Sequence, residues 1–185
     1  LVDGRPARSV SRAYQAWAEG TKGASYFVAR PPEEAALVPL AILAAVPVEE
    51  LAYDLEQSKV VLSLNAPLLE GWGGPQRVQK LWPELKIVQA ESVKSRTGDC
   101  AWQRIMVRQG AEAALAMAVA HVLLDEKLAA ATAPRPPKSA ADHAKDAGVE
   151  LNVVVELART LAENRPSVVI GRDAEPAVAA LNILL

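Results

Sequence analysis

The sequence predicts an α/β protein: a doubly wound, mostly parallel, Rossmann-like sheet with helices on both of its faces. Three short runs, at residues 59–64, 86–91 and 167–171, are predicted as strands. The first is almost continuously apolar, as strands buried on both faces of a parallel sheet are. Longer stretches rich in alanine and leucine separate these runs. Alternating strands and helices are typical of parallel sheets covered by helical layers. The low aromatic content, 4% of residues, also favours helices packed on a sheet over a β-sandwich.

The remaining elements follow from apolar periodicity and from the positions of glycine and proline. Two more strands are predicted at residues 25–29 and 104–108. Helical spacing predicts further elements at residues 6–18, 33–46, 76–81, 111–131, 150–163 and 176–185. Pro39 is expected to kink or split the second of these helices. The segments between the elements, among them the polar stretch 92–102, are predicted as loops.

The chain is expected to divide into three segments. Residues 1–132 form an α/β domain that carries the strand ends of interest. Residues 133–148, which begin with several prolines, are predicted as a linker. Residues 149–185 form a strand–helix segment that completes the sheet or begins a further, truncated lobe. Because the chain opens at Leu1 and not at a methionine, we expect a piece of a longer protein, and no cellular location follows from its start.

Composition argues against several classes of function. The net charge is −2 and the basic residues are scattered, so no nucleic-acid partner is expected. The single Cys100 allows neither an internal disulfide nor a cysteine-ligated iron–sulfur cluster within this chain. With only His121 and His143 besides it, a zinc site of histidine and cysteine ligands is not expected. No apolar run approaches the roughly 20 residues that span a bilayer, so direct membrane insertion is not expected.

Strand ends supply the candidate chemistry. The sequence has no recognisable nucleophile beside its histidines, no Walker phosphate loop and no dinucleotide fingerprint. Instead, Glu91 ends one predicted strand, Asn65 and Gly110 follow two others, and the carboxyl ends of parallel strands open onto one crevice. An acid there can accept hydrogen bonds from a ribose diol, an amide can pair with a heteroaromatic edge, and N–H groups at a helix start can bind phosphate. The alternative for Glu91 is a plain solvent-exposed loop carboxylate.

Around these residues the chain resembles the molybdopterin oxidoreductase (dimethyl sulfoxide reductase-like) superfamily. The first matching motif is the strand-end turn at residues 63–67, which corresponds to a turn of the Gly-x-Asn-Pro type. The second is the acid at the end of the next strand, with Ser92 after it and Thr97 at the matching offset. The third is the turn at residues 108–112, which opens an alanine-rich helix. The resemblance extends over residues 53–124 and is looser on either side.

The chain also departs from the family pattern. Glu91 stands where the family has aspartate, and Ser92 and Gln109 stand where it has proline. The cluster cysteines and an identifiable molybdenum ligand are missing from this chain. Within the superfamily, these departures look most like the molybdopterin-like subunit of bacterial alternative complex III, which keeps the fold in a quinol-oxidising assembly without the molybdenum centre.

The resemblance implies contacts to a molybdopterin guanine dinucleotide, in this chain from Asn65, Glu91, Ser92, Thr97, Gly110 and Glu112. It further implies that the partners are other subunits of a redox complex, with a periplasmic or membrane-associated position in a bacterium.

Three functions stay open from the sequence. The chain is part of an oxidoreductase subunit that binds the guanine dinucleotide cofactor, or a cofactor-free structural subunit of a respiratory quinol-oxidising complex, or an unrelated nucleotide-binding α/β domain. Whether it is an enzyme does not follow. For the cofactor-binding version, Glu91→Ala is expected to weaken dinucleotide binding without unfolding the domain.

Overall fold

The computed structural model describes residues 1–3, 9–28, 35–72, 75–129, 135–171 and 175–185. The chain forms two compact units, Leu1–Ala35 and Ala36–Leu185. The division into segments 1–132, 133–148 and 149–185 stays a prediction.

The first unit holds a small parallel pair of strands. Strand β1 (Val2–Asp3) pairs with β2 (Phe27–Val28), and helix α1 (Ser9–Gly20) lies between them in the sequence. The Tyr26 hydroxyl donates a hydrogen bond to Asp3 Oδ2 over 2.9 Å, which links the two strands. The helix predicted at 6–18 and the strand predicted at 25–29 correspond to α1 and β2, although residues 4–8 and 29 lie outside the described ranges.

The second unit is built on a four-stranded sheet in which every neighbouring pair is parallel. Its strands are β3 (Val60–Leu64), β4 (Lys86–Glu91), β5 (Gln103–Met106) and β6 (Ser167–Gly171), and their spatial order is β5-β4-β3-β6. The inner strand β3 is buried along its whole length, as its apolar sequence predicts.

Helices surround this sheet in the described part of the second unit. They are α2 (Leu37–Ala44), α3 (Pro75–Leu81), α4 (Arg96–Cys100), α5 (Glu112–Asp125), α6 (Ala140–Ala147), α7 (Leu151–Glu163) and α8 (Glu175–Leu184), with a 3-10 turn at Val48–Glu50. Pro39 lies in the first turn of α2, where its missing N–H has no helical acceptor to lose. Helix α2 is therefore continuous through Pro39, and the predicted split is not present in it. Among the described residues, no helix is long and apolar enough to cross a membrane.

Two apolar cores lie on opposite faces of the sheet because side chains alternate along each strand. Leu62 and Val88 share one core with α5, α7 and α8, while Val61 and Ile87 share the other with Val78 of α3. Both cores are essentially closed to solvent. Helices on both faces of a parallel sheet confirm the predicted doubly wound fold class.

Two of these helices were not predicted, although both carry capping residues. Helix α4 lies in the stretch predicted as a polar loop, and the hydroxyl of its N-cap Ser95 accepts a hydrogen bond from the Gly98 N–H over 3.0 Å. Helix α6 lies within residues 133–148, and the hydroxyl of its N-cap Ser139 accepts from the Asp142 N–H over 3.1 Å. Gly148 closes α6 with a φ of 74°, a conformation that favours glycine at helix ends.

Candidate functional site

The carboxyl ends of β3, β4 and β5 lie side by side at one edge of the sheet. The Asn65 N–H donates to the Ala90 carbonyl over 2.8 Å, and the Val107 N–H donates to the Glu91 carbonyl over 3.1 Å. Asn65 has a φ of 56°, a left-handed conformation that asparagine tolerates better than most residues. The predicted meeting of strand tips at one edge is therefore present.

Glu91 ends β4 and turns its carboxylate into the protein. The residue is 0% exposed. Its Oε1 accepts from the Ser95 N–H over 3.1 Å and from Arg104 Nε over 2.8 Å. Its Oε2 accepts from the Ser95 hydroxyl over 2.6 Å and from the Gln89 side-chain amide over 3.1 Å. Four hydrogen bonds from the same chain thus satisfy this carboxylate.

The charge on Glu91 is maintained by these contacts. Burial on its own raises the pKa of a carboxyl group. The hydrogen bonds from Ser95, Arg104 and Gln89 together outweigh burial, and the pKa of Glu91 lies below its ordinary value. Arg104 keeps 24% of its side chain exposed, so the ion pair joins a buried anion to a cation that reaches the surface. Glu91 is therefore ionised at neutral pH.

Gly98 lies directly against the Glu91 carboxylate. A Cβ added at position 98 would lie 2.8 Å from Glu91 Cδ and closer still to Oε1, well inside van der Waals contact. Ser95 caps the short helix that carries Gly98 and binds Glu91 at the same time. The loop after β4 is therefore folded directly onto the acid that ends the strand.

A second carboxylate joins the loops that follow β3 and β4. Thr97 is fully buried, and its hydroxyl and N–H donate to the Glu70 carboxylate over 2.5 and 3.1 Å. The Thr97 hydroxyl also accepts from the Leu69 N–H over 3.0 Å. The two loops at this edge are thus held together through one threonine.

We expect Thr97→Val to destabilise the second unit by about 2 kcal/mol, because it removes the hydroxyl but not the side-chain volume. The Leu69 N–H then loses its acceptor in a partly buried position, which costs about 1–3 kcal/mol. Thr21→Val is the matched control, since the Thr21 hydroxyl donates to the Trp17 carbonyl in an exposed position and should matter by about 0.5 kcal/mol or less. Urea unfolding measures both, and equal losses would contradict the buried role of Thr97.

The predicted contact residues differ in accessibility. Asn65 and Ser92 are half-buried and Gly110 is exposed, so these three can meet a ligand as they stand. Glu112, the first residue of α5, is 8% exposed, and Glu91 and Thr97 are closed to solvent. Gly110 has a φ of 73°, which suits the turn into α5. The assignment of all six as cofactor contacts stays a prediction.

Five residues that hold this edge together were not predicted as part of the site: Glu70, Gln89, Ser95, Gly98 and Arg104. Two signals were available. Gln89 is a polar residue within a predicted strand, and Ser95 is a residue type favoured at helix N-caps. Nothing in the sequence connects Glu70 with Thr97, which lie 27 residues apart.

Metal-binding side chains do not cluster in the part of the chain that the structure describes. Within those ranges, no group of three or more His, Cys, Asp or Glu side chains could hold a metal ion. Cys100 is a free, exposed thiol.

The fold and the strand-end motifs indicate the molybdopterin oxidoreductase family, and comparison with known proteins confirms the predicted resemblance to it. One relative is the molybdopterin-binding-like subunit of menaquinone reductase from Nitratidesulfovibrio vulgaris. It is 30% identical over an alignment of 166 residues, which covers 74% of this chain and 23% of the relative. No family model matches the chain.

A solved structure supports the fold independently. Acetylene hydratase from Pelobacter acetylenicus superposes with a TM-score of 0.62 over 86% of this chain and 25% of its own, at 12% identity. This likeness confirms the α/β fold. The chain spans about a quarter of the length of each of these two proteins.

Proposed function

We propose that this chain is part of a redox subunit of the molybdopterin oxidoreductase type, in which its α/β domain is a structural element of a multi-subunit complex. The relative from Nitratidesulfovibrio vulgaris is named as a molybdopterin-binding-like subunit of a menaquinone reductase, which supports a redox role and partner subunits. An electron-transfer reaction involving a quinone is the activity we propose for the whole protein.

The burial and the hydrogen bonding of the Glu91 carboxylate are the observation that supports the structural role. A ribose diol needs a carboxylate with free lone pairs at an accessible surface. The Glu91 carboxylate is instead closed to solvent and accepts four hydrogen bonds from its own chain. Thr97 is likewise buried and bonded to Glu70. Two of the six predicted contacts therefore do not fit a bound guanine dinucleotide in this arrangement.

Binding of a molybdopterin guanine dinucleotide is the second candidate function. The accessible rim formed by Asn65, Ser92 and Gly110 favours it, because amide, hydroxyl and backbone N–H groups remain available there. When bound, such a cofactor supplies the redox chemistry itself, and the protein binds and orients it. Asn65, Ser92 and Gly110 would then hold the nucleotide end of the cofactor, and Glu91 would not contact it.

Cofactor analysis of the full-length protein separates the two candidates. We expect molybdenum and extractable pterin well below one equivalent per chain. We also expect no stabilisation by guanine nucleotides in a thermal-shift titration, because a ligand stabilises a protein only by binding the folded state. Stoichiometric molybdenum and pterin would overturn the structural role in favour of cofactor binding. A response to adenine nucleotides alone would favour an unrelated nucleotide-binding function.

A further inference from the structure

His143 lies between helices with one ring nitrogen unpaired. It belongs to α6 and is 8% exposed, and its Nε2 has no hydrogen-bond partner among the described residues. The other buried residues of α6 are Ala144 and Ala147, which share a core with Val154 of α7 and with α5. His143 is therefore the one buried titratable side chain of α6, and it lies beside two alanines that pack into the core.

The charged groups around His143 do not offset the effect of burial on its pKa. Burial is the largest cause that lowers the pKa of His143 below its ordinary value, and Lys138 and His121 of α5 act in the same direction. Asp146 and Asp142 oppose the shift, but Asp146 already pairs with Lys138. The packed helix thus favours the neutral imidazole.

The C-terminal end of α6 is hydrogen-bonded to Arg108, in the connection between β5 and α5 that carries Gly110. The Arg108 N–H donates to the Ala147 carbonyl over 2.8 Å, and Arg108 Nη1 donates to the Asp146 carbonyl over 3.1 Å. Arg108 also packs against Gly148, where a Cβ would lie 3.6 Å from Arg108 Cβ. Because Arg108 is two residues before Gly110, the position of α6 determines the start of the connection from β5 to α5.

We propose that α6 is a pH-responsive element: protonation of His143 detaches α6 from α5 and releases Arg108, so that the rim around Gly110 becomes mobile in mild acid. The change is local because α6 is a helix of only eight residues, and short segments open at lower free energy than the whole fold does.

The direction of the pH effect follows from linkage between protonation and opening. In the opened segment a histidine titrates near about 6.5, whereas the packed His143 titrates at lower pH. Above about pH 6.5 both forms are neutral and α6 keeps its full stability. Below it the opened form takes up a proton that the packed form does not, so opening is favoured by up to about tenfold per pH unit until the packed ring also titrates.

Amide hydrogen exchange of the full-length protein between pH 7.5 and 5.5 tests this. After correction for the intrinsic pH dependence of exchange, protection of α6 and of the Arg108 amide should fall by up to about tenfold over the last pH unit, while β3 and β4 keep theirs. His143→Gln removes the titrating group and should abolish the pH dependence. His121→Gln, on the facing helix, removes one of the groups that lower the pKa of His143 and should weaken the pH dependence without abolishing it.

Two results would overturn the proposal: an unchanged pH dependence in His143→Gln, or loss of protection spread equally over β3 and β4. If His143→Gln does not fold, the ring titration of His143 in the unmodified protein decides by nuclear magnetic resonance. A midpoint below about 6.5, with the exchange transition beginning above it, supports the proposal, and a midpoint at or above that value contradicts it.

Discussion

Gly98→Ala is expected to destabilise the second unit by about 3 kcal/mol, near the upper end of the range for overpacking a closed interior. The added methyl group would enter the space that the Glu91 carboxylate occupies. The carboxylate cannot withdraw without giving up hydrogen bonds from Ser95 and Arg104. Equilibrium urea unfolding of the variant measures the loss.

Gly20→Ala is the matched control for this substitution. Nothing lies within 4 Å of a Cβ added at Gly20, so the control should change the free energy of unfolding by about 1 kcal/mol or less. Should Gly98→Ala prove as mild as the control, Gly98 does not lie against Glu91 in the way described.

Glu91→Ala should lower the free energy of unfolding by about 3 kcal/mol in the absence of any ligand. Removing one partner of a buried ion pair costs about 3–5 kcal/mol, because the other partner and its neighbours lose their acceptor. The partial exposure of Arg104, 24% of its side chain, relieves part of that penalty. The sequence alone led us to expect a variant that folds normally and loses only ligand binding, and the buried position of Glu91 changes that expectation.

Glu84→Ala serves as the control, since Glu84 is an exposed glutamate in the turn before β4. Its free energy of unfolding should lie within about 0.5 kcal/mol of the value for the unmodified protein. A ligand-free Glu91→Ala protein as stable as this control would show that the carboxylate contributes nothing to the fold.

Most of the sheet could be predicted from the sequence because its information is local. The strands β3, β4 and β6 are apolar runs bounded by proline, polar or glycine residues, and helix α7 has a clear apolar face that packs through Val154 and Leu157. Short polar helices gave weaker signals. Helix α4 has only five residues. Helix α6 follows a proline-rich stretch typical of linkers, which is a stronger sequence signal than its serine and glycine caps.

The sequence predicted that the strand ends at the candidate site meet, but not the direction of their side chains. The residues after β3 and β4 meet at one edge, as the parallel topology requires. Whether Glu91 faces solvent or the interior depends on Gly98, Ser95 and Arg104, which approach it only in the folded chain. No periodicity in the sequence encodes that approach. The position of Glu91 in the sequence therefore leaves its role open, and tertiary contacts determine that role.

A double-mutant cycle on Glu91 and Gly98 tests most directly whether the acid of β4 supports the fold from within. In the Glu91→Ala background the methyl group of Gly98→Ala meets vacated space, so we expect it to cost about 2 kcal/mol less than in the unmodified protein, a coupling typical of residues in contact. Strictly additive losses of unfolding free energy would show that the two residues do not touch. Glu91 would then again be a candidate for contact with a ligand at the carboxyl ends of the strands.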